Sequence, residues 1–249
     1  MLELHNLTKW YHTPRGRRYV FRDLSFTFPP DTSIGLIGRN GAGKSTLLRL
    51  LGGIDVPNAG SVVTDARISW PVGLTGGFQP SLTARENVQF VARVHGATGR
   101  SMRRIVDFVE EFAEIGDYFE LPMNSYSSGM RSRVAFGMSM AFDFDYYLID
   151  EIMAVGDPQF VGKSQAVLSE RLSKANVIMV SHAMTEIVKY CDVVVLVDHG
   201  NTVLYEDVQE GIAVYQGRAV SAVTAPAATI PKPTQPAAQA PLQSIAGSN

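Results

Sequence analysis

The sequence predicts an α/β fold: a mostly parallel sheet with helices on both faces, an N-terminal β portion and an inserted helical portion. Three short apolar runs, 146–149, 177–180 and 193–197, are separated by helical stretches at 165–172 and 184–188. Strands that alternate with helices pair in parallel, and parallel strands are apolar on both faces because helices cover both. A fourth apolar run, 33–37, leads into a glycine-rich turn and then a helical segment over 46–51 that stops at Gly52-Gly53.

The other elements follow in order. Leu2, Leu4 and Leu7 suggest a short first strand, and Tyr19-Val20-Phe21 and Ser25-Phe26-Thr27-Phe28 two more β pieces, ended by Pro29-Pro30-Asp31. Residues 82–94 and 101–112 carry apolar side chains at spacings of three and four among charges, the pattern of amphipathic helices. They place a helical subdomain at about 82–140 within a domain spanning 1–218. Residues 219–249 are Ala, Pro, Thr, Gln and Ser with a single charge, Lys232, and read as a disordered tail.

Composition narrows the function. The chain has 249 residues, 45% hydrophobic, which is enough for one sizeable core. Lys and Arg total 22 against 24 Asp and Glu, so binding to nucleic acid through overall basic charge is not expected. The single cysteine, Cys191, excludes an internal disulfide and a Cys-based zinc site, and it reads as a small buried hydrophobe. The five histidines lack metal-ligand spacing. No apolar run approaches the about 18 residues of a spanning helix, and the N-terminus lacks a secretory pattern. The expectation is a cytoplasmic protein that meets a membrane only through a partner.

Gly38-Arg39-Asn40-Gly41-Ala42-Gly43-Lys44-Ser45-Thr46 matches the phosphate-binding loop G-x-x-x-x-G-K-[ST]. The glycines let backbone N–H groups turn toward phosphate oxygens, and the following helix presents its positive end. Lys44 is expected to reach the β- and γ-phosphates, and the Ser45 hydroxyl to ligate Mg²⁺. Asp150 ends an apolar strand and Glu151 follows it. Carboxylates at that edge of a sheet point into the ligand crevice. Asp150 fits the organisation of Mg²⁺, and Glu151 fits the general base that polarises water. No Asn-Lys-x-Asp guanine-reading motif is present, which disfavours a GTPase.

Further motifs fall in the order of an ATP-binding cassette (ABC) ATPase. Gln79 in Gly76-Gly77-Phe78-Gln79 resembles the Q-loop glutamine, and Tyr126-Ser127-Ser128-Gly129-Met130 resembles the signature Leu-Ser-Gly-Gly-Gln. Ala154-Val155-Gly156-Asp157 resembles the D-loop, His182 the switch histidine, and Tyr11, about 27 residues before Gly38, the aromatic A-loop. The likeness covers residues 1 to about 217. It implies an N-terminal antiparallel β portion, ATP and Mg²⁺ as ligands, and a homodimer. It also implies that Tyr11 stacks on adenine, with Tyr19 as rival. Gln79 then lies near Mg²⁺ and the membrane partner, and His182 senses the γ-phosphate. Ser127 and Gly129 face the γ-phosphate of the other copy, and Asp157 contacts that copy. Ser128 and Met130 depart from the common signature.

Tyr11-His-Thr-Pro-Arg-Gly-Arg-Arg-Tyr-Val, Ile68-Ser-Trp-Pro-Val-Gly73 and Met140-Ala-Phe-Asp-Phe-Asp-Tyr-Tyr147 narrow the resemblance to the ATPase subunit of Gram-negative capsular polysaccharide exporters. That family implies a separate integral-membrane permease, a peripheral position on the cytoplasmic face of the inner membrane, and contact with polysaccharide only through the permease. Export of O-antigen or teichoic acid is the neighbouring alternative, and a non-transport ABC protein a more distant one. The Arg15-Gly-Arg-Arg18 cluster reads as a solvated hairpin face, and Trp70, Met138 and Met140 read as core.

Overall fold

The computed structural model describes residues 1–151, 158–198 and 200–217. The D-loop segment with Asp157 and the segment 219–249 read as a tail lie outside the described residues.

The chain begins with two long strands, β1 (Leu2–Thr13) and β2 (Gly16–Phe28), paired antiparallel from Leu2–Phe28 to Thr13–Gly16. Register shifts between Leu4 and Trp10, with Asn6 and Asp23 at positive φ, interrupt the alternation of side chains. Those bulges explain why the apolar pattern reads as separate short pieces. Next come β3 (Ile34–Ile37), α1 (Lys44–Leu51), β4 (Ala59–Thr64) and β5 (Ile68–Pro71). β4 pairs antiparallel with β1 and completes a three-stranded sheet, β2-β1-β4.

Helices α2 (Ala84–Val94), α3 (Gly99–Ala113) and α4 (Ser128–Met140) follow, with two 3-10 turns before α4. A capping box starts α2: Thr83 Oγ1 accepts from the Glu86 N–H at 3.1 Å, and the Thr83 N–H donates to Glu86 Oε2 at 2.9 Å. Such a box satisfies two of the four N–H groups a helix start leaves open. α4 has no apolar stripe. Every residue from Val134 to Met140 is buried, so its pattern carries no helical period.

The last third holds β6 (Tyr146–Asp150), α5 (Pro158–Leu172), β7 (Asn176–Val180), α6 (Met184–Tyr190), β8 (Val193–Asp198), β9 (Asn201–Tyr205) and α7 (Val208–Tyr215). The six-stranded sheet runs β5-β6-β7-β3-β8-β9. Neighbours from β5 to β8 are parallel, and only β9 pairs antiparallel, against β8. Pro71 is tolerated because β5 is an edge strand.

The central strands are buried on both faces, as their continuous apolar runs require. Leu36, Leu148, Val180 and Val195 face one core with α1 and the three-stranded sheet, together with Leu47 and Phe28. Ile37, Ile149, Met179 and Val194 face a second core with α5, α6 and α7. Each such side chain contributes about 2 kcal/mol by leaving water. A third core lies among α2, α3 and α4 and includes Val88, Val109 and Val134. Trp70 packs between the second and third cores, edge-on to Phe142 and Phe144, and donates its indole N–H to Ser139 Oγ at 2.9 Å. Met138 and Met140 are buried, as expected.

Among the described residues, no helix is long and apolar enough to cross a membrane.

Cys191 packs beside Ile187 and Val194, and burial pushes its thiol up to about 12, with the Asp192 charge adding to the shift. The native protein is therefore expected to leave Cys191 unlabelled by a maleimide at pH 8, with full labelling in guanidinium. Rapid stoichiometric labelling of the folded chain would contradict this packing.

Candidate functional site

The phosphate-binding loop joins β3 to α1, and its glycines are fixed by close neighbours. Gly38 has φ +152°, and a Cβ there would lie 2.2 Å from the Val197 carbonyl oxygen in β8. Gly43 has φ +109°, and its Cβ would lie 2.6 Å from Val20 Cγ1 and 2.8 Å from the Phe21 ring. Both positions exclude a side chain by backbone conformation and by space. Gly43 is also the N-cap of α1, with no side-chain cap and no acidic residue in the first turn. The N–H groups at the start of α1 are thus available to an anion.

Lys44 is 8% exposed, and its ammonium donates to the carbonyls of Gly38 at 2.8 Å and Arg39 at 3.2 Å. Burial lowers its pKa from the ordinary value, against the pull of Glu151 and Asp150 in the opposite direction. Ser45 Oγ donates to Asp150 Oδ1 at 3.1 Å, across 105 residues of sequence. Burial raises the Asp150 carboxyl, the Ser45 hydrogen bond opposes this, and the Glu151 charge raises it further. A hydroxyl and a carboxylate side by side are hard oxygen donors, which suits a cation such as Mg²⁺.

Glu151 sits at φ +62°, a left-handed conformation uncommon for glutamate, and its N–H donates to the Val180 carbonyl at 2.8 Å. That turn ends β6 and presents the carboxylate to His182, whose Nε2 lies 3.0 Å from Glu151 Oε1. His182 follows β7 by two residues. The next turn is fixed by Ser181, whose hydroxyl donates to Glu186 at 2.6 Å and accepts from the Ala183 N–H at 3.0 Å.

A cleft of about 1340 Å³ collects these groups. Tyr11, Arg39, Asn40, Gly41, Ala42, Gly43, Lys44, Ser45, Thr46, Glu151 and His182 line it, so the structure brings together most of the residues singled out from the sequence. Gly38 touches it through Lys44, and Asp150 through Ser45. Tyr11 and Tyr19 both line the cleft, so the lining alone does not choose between them.

Three expected site residues lie elsewhere in the chain. Gln79 is exposed and does not line the cleft, and its backbone is held by Asn87, which accepts from its N–H at 2.8 Å and donates to its carbonyl at 3.1 Å. Ser127 is the N-cap of α4, accepting from the Met130 N–H at 3.2 Å. Ser127 and Gly129 line a separate pocket of about 530 Å³ with Tyr118 and Arg133.

The sequence reading missed part of the cleft wall. Arg17, Arg18 and Arg22 of β2 line it; all three are exposed, so the solvated face read at Arg15–Arg18 also borders the cleft. Arg18 pairs directly with Tyr11 across the hairpin. Locating the turn at residues 14–15 would have set that register. Gly200 and Asn201 join the wall from the β8–β9 turn, which carries no motif.

A family model described as ABC transporter matches residues 21–154. The chain belongs to the ABC transporter family. The polysialic acid transport ATP-binding protein KpsT of Escherichia coli is 55% identical over 217 residues, covering 87% of this chain and 99% of that one. The capsule polysaccharide export ATP-binding protein CtrD of Neisseria meningitidis serogroup B is 39% identical over 215 residues, 86% of this chain and 98% of that one. The dimeric post-hydrolysis structure of the ATP-binding cassette MJ0796 bound to ADP and Pi superposes with a TM-score of 0.63 at 22% identity. It covers 82% of this chain and 98% of that one, and it bears on the fold alone. Family membership makes this chain an ABC ATPase.

Gly38→Ala places a methyl group against the Val197 carbonyl in a conformation unfavourable to alanine. Strain of about 1–3 kcal/mol is expected, or a fall in melting temperature of about 3–10 °C. Thermal denaturation followed by circular dichroism measures it, and an unchanged midpoint would contradict the described loop.

Proposed function

We propose that this chain is the ATP-hydrolysing subunit of an exporter of capsular polysaccharide. In this reading it works as a homodimer beside a separate integral-membrane permease, at the cytoplasmic face of the inner membrane. The observation that carries the ATPase chemistry is the Glu151–His182 pair at the mouth of the phosphate-loop cleft, next to Ser45 and Asp150. The capsule assignment rests on 55% identity to a polysialic acid transport ATP-binding protein across nearly that protein's whole length.

Each residue has a role in this reading. The loop N–H groups and Lys44 hold the β- and γ-phosphates. Ser45 and Asp150 hold Mg²⁺, whose charge neutralises the phosphates when it is bound. Gln79 is the further ligand in the family pattern, and reaching the cleft requires its loop to move. Glu151 takes a proton from the attacking water. The water oxygen bonds to the γ-phosphorus, and the bridging P–O bond breaks to give ADP and phosphate. His182 orients Glu151 and contacts the γ-phosphate. Ser127 and Gly129 of a second copy close the cleft, because within one chain they face a different pocket. Polysaccharide is handled by the permease, and nucleic acid has no part.

Glu151→Gln keeps the shape and removes the base. ATP binding is expected to persist, while hydrolysis falls about 10²–10⁴-fold. The variant accumulates as an ATP-bound dimer on size-exclusion chromatography. Retained turnover would remove Glu151 from the role of base.

A further inference from the structure

Lys9 is a buried cation that the chemistry above does not use. It lies in β1 at 6% exposure, and its ammonium donates to Asp55 Oδ1 at 2.5 Å and to the Val56 carbonyl at 2.8 Å. A buried ammonium needs such a partner, since an unpaired charge in that position is costly. The second oxygen of the same carboxylate, Asp55 Oδ2, accepts the Tyr11 hydroxyl at 2.8 Å. Lys9 and Tyr11 thus meet at one carboxylate, despite the register shift between Lys9 and Trp10. The Lys9 ammonium lies 4.9 Å from the Tyr11 ring centroid.

Asp55 is itself fixed to the phosphate-binding helix. The N–H groups of Ile54 and Asp55 both donate to the Arg49 carbonyl in the last turn of α1, at 3.0 and 3.1 Å. α1 begins at Lys44. One carboxylate therefore links the helix that follows the phosphate loop to a tyrosine that lines the same cleft. Tyr19 is held differently, with the Arg22 guanidinium 3.7 Å from its ring centroid.

We propose that Asp55, clamped by the buried Lys9, is a positioning residue that fixes the Tyr11 ring for the nucleotide base and keeps it in register with the phosphate loop. The inference rests on the ATPase reading and selects Tyr11 over Tyr19 as the base platform. Asp55 acts through Tyr11 and touches no phosphate.

The test compares ATP with inorganic tripolyphosphate, which carries phosphates without a base, using calorimetry on the full chain. Tyr11→Phe keeps the ring and the Lys9–Asp55 pair and removes only the tether. Its Kd for ATP is expected to rise about three- to tenfold, the range for one lost hydrogen bond, with tripolyphosphate binding unchanged. Asp55→Asn is expected to weaken ATP binding selectively in the same way. In a Tyr11→Ala background, Asp55→Asn should produce no further loss, because residues that act as one unit are not additive. Unchanged ATP affinity in Tyr11→Phe would overturn the proposal. So would an equal loss for tripolyphosphate, a further loss from Asp55→Asn without the Tyr11 ring, or a larger ATP loss from Tyr19→Ala than from Tyr11→Ala. If Asp55→Asn fails to fold, Tyr11→Phe still decides the matter, since it leaves the ion pair intact. A wild-type chain that bound neither ATP nor tripolyphosphate would overturn the ATPase reading itself. Wild-type binding with an unaffected Tyr11→Phe overturns the tether alone.

Discussion

The active arrangement depends on strand direction. β6, β7, β3 and β8 run parallel, so their C-terminal ends meet at one edge of the sheet. The phosphate loop leaves β3 there, Asp150 and Glu151 leave β6, and His182 follows β7. Residues separated by more than a hundred positions then stand within hydrogen-bonding reach, as Ser45 and Asp150 do at 3.1 Å. Parallel pairing demands that both faces be covered, and the alternation of Tyr146 and Leu148 with Tyr147 and Ile149 between two cores meets that demand.

The second constraint is the close fit around the loop. Gly38 abuts β8 and Gly43 abuts β2, so the sheet and the N-terminal hairpin fix the loop from two sides. The same hairpin supplies Tyr11, Tyr19 and the arginine wall of the cleft. The Lys9–Asp55–Tyr11 chain adds a polar link between hairpin and helix α1.

Much of this was legible in the sequence, and for physical reasons. The phosphate loop is legible because its chemistry tolerates few residue types, and the central strands because burial on both faces leaves short runs without charged residues, rich in Val, Ile and Leu. α4 falls within the helical subdomain read at about 82–140, but no helical period marks it, because its C-terminal half is buried all round and small residues, Ser127 and Gly129, stand at its start. β9 and α7 were not anticipated; β9 is a half-exposed edge strand whose sequence, Asn-Thr-Val-Leu-Tyr, does not alternate polar with apolar residues. The register shifts in β1 hid a continuous strand. Long-range partners such as Asp55 for Tyr11 have no local pattern at all, because 44 residues of chain separate them.

In the proposed reading one chain holds an incomplete site. Its Ser127 and Gly129 line a pocket distinct from the cleft of Lys44 and Glu151. The decisive measurement mixes Lys44→Ala protomers with Ser127→Arg protomers, each inactive alone, and assays ATPase activity after cross-linking confirms mixed dimers. A parallel mixture pairs wild type with a chain carrying both substitutions. A shared site predicts recovered activity in the first mixture, where one composite site is free of both lesions, and loss in the mixed dimers of the second, where each site carries one. The reverse pattern, no recovery in the first and retained activity in the second, would show that each chain holds its own complete site and would contradict this account.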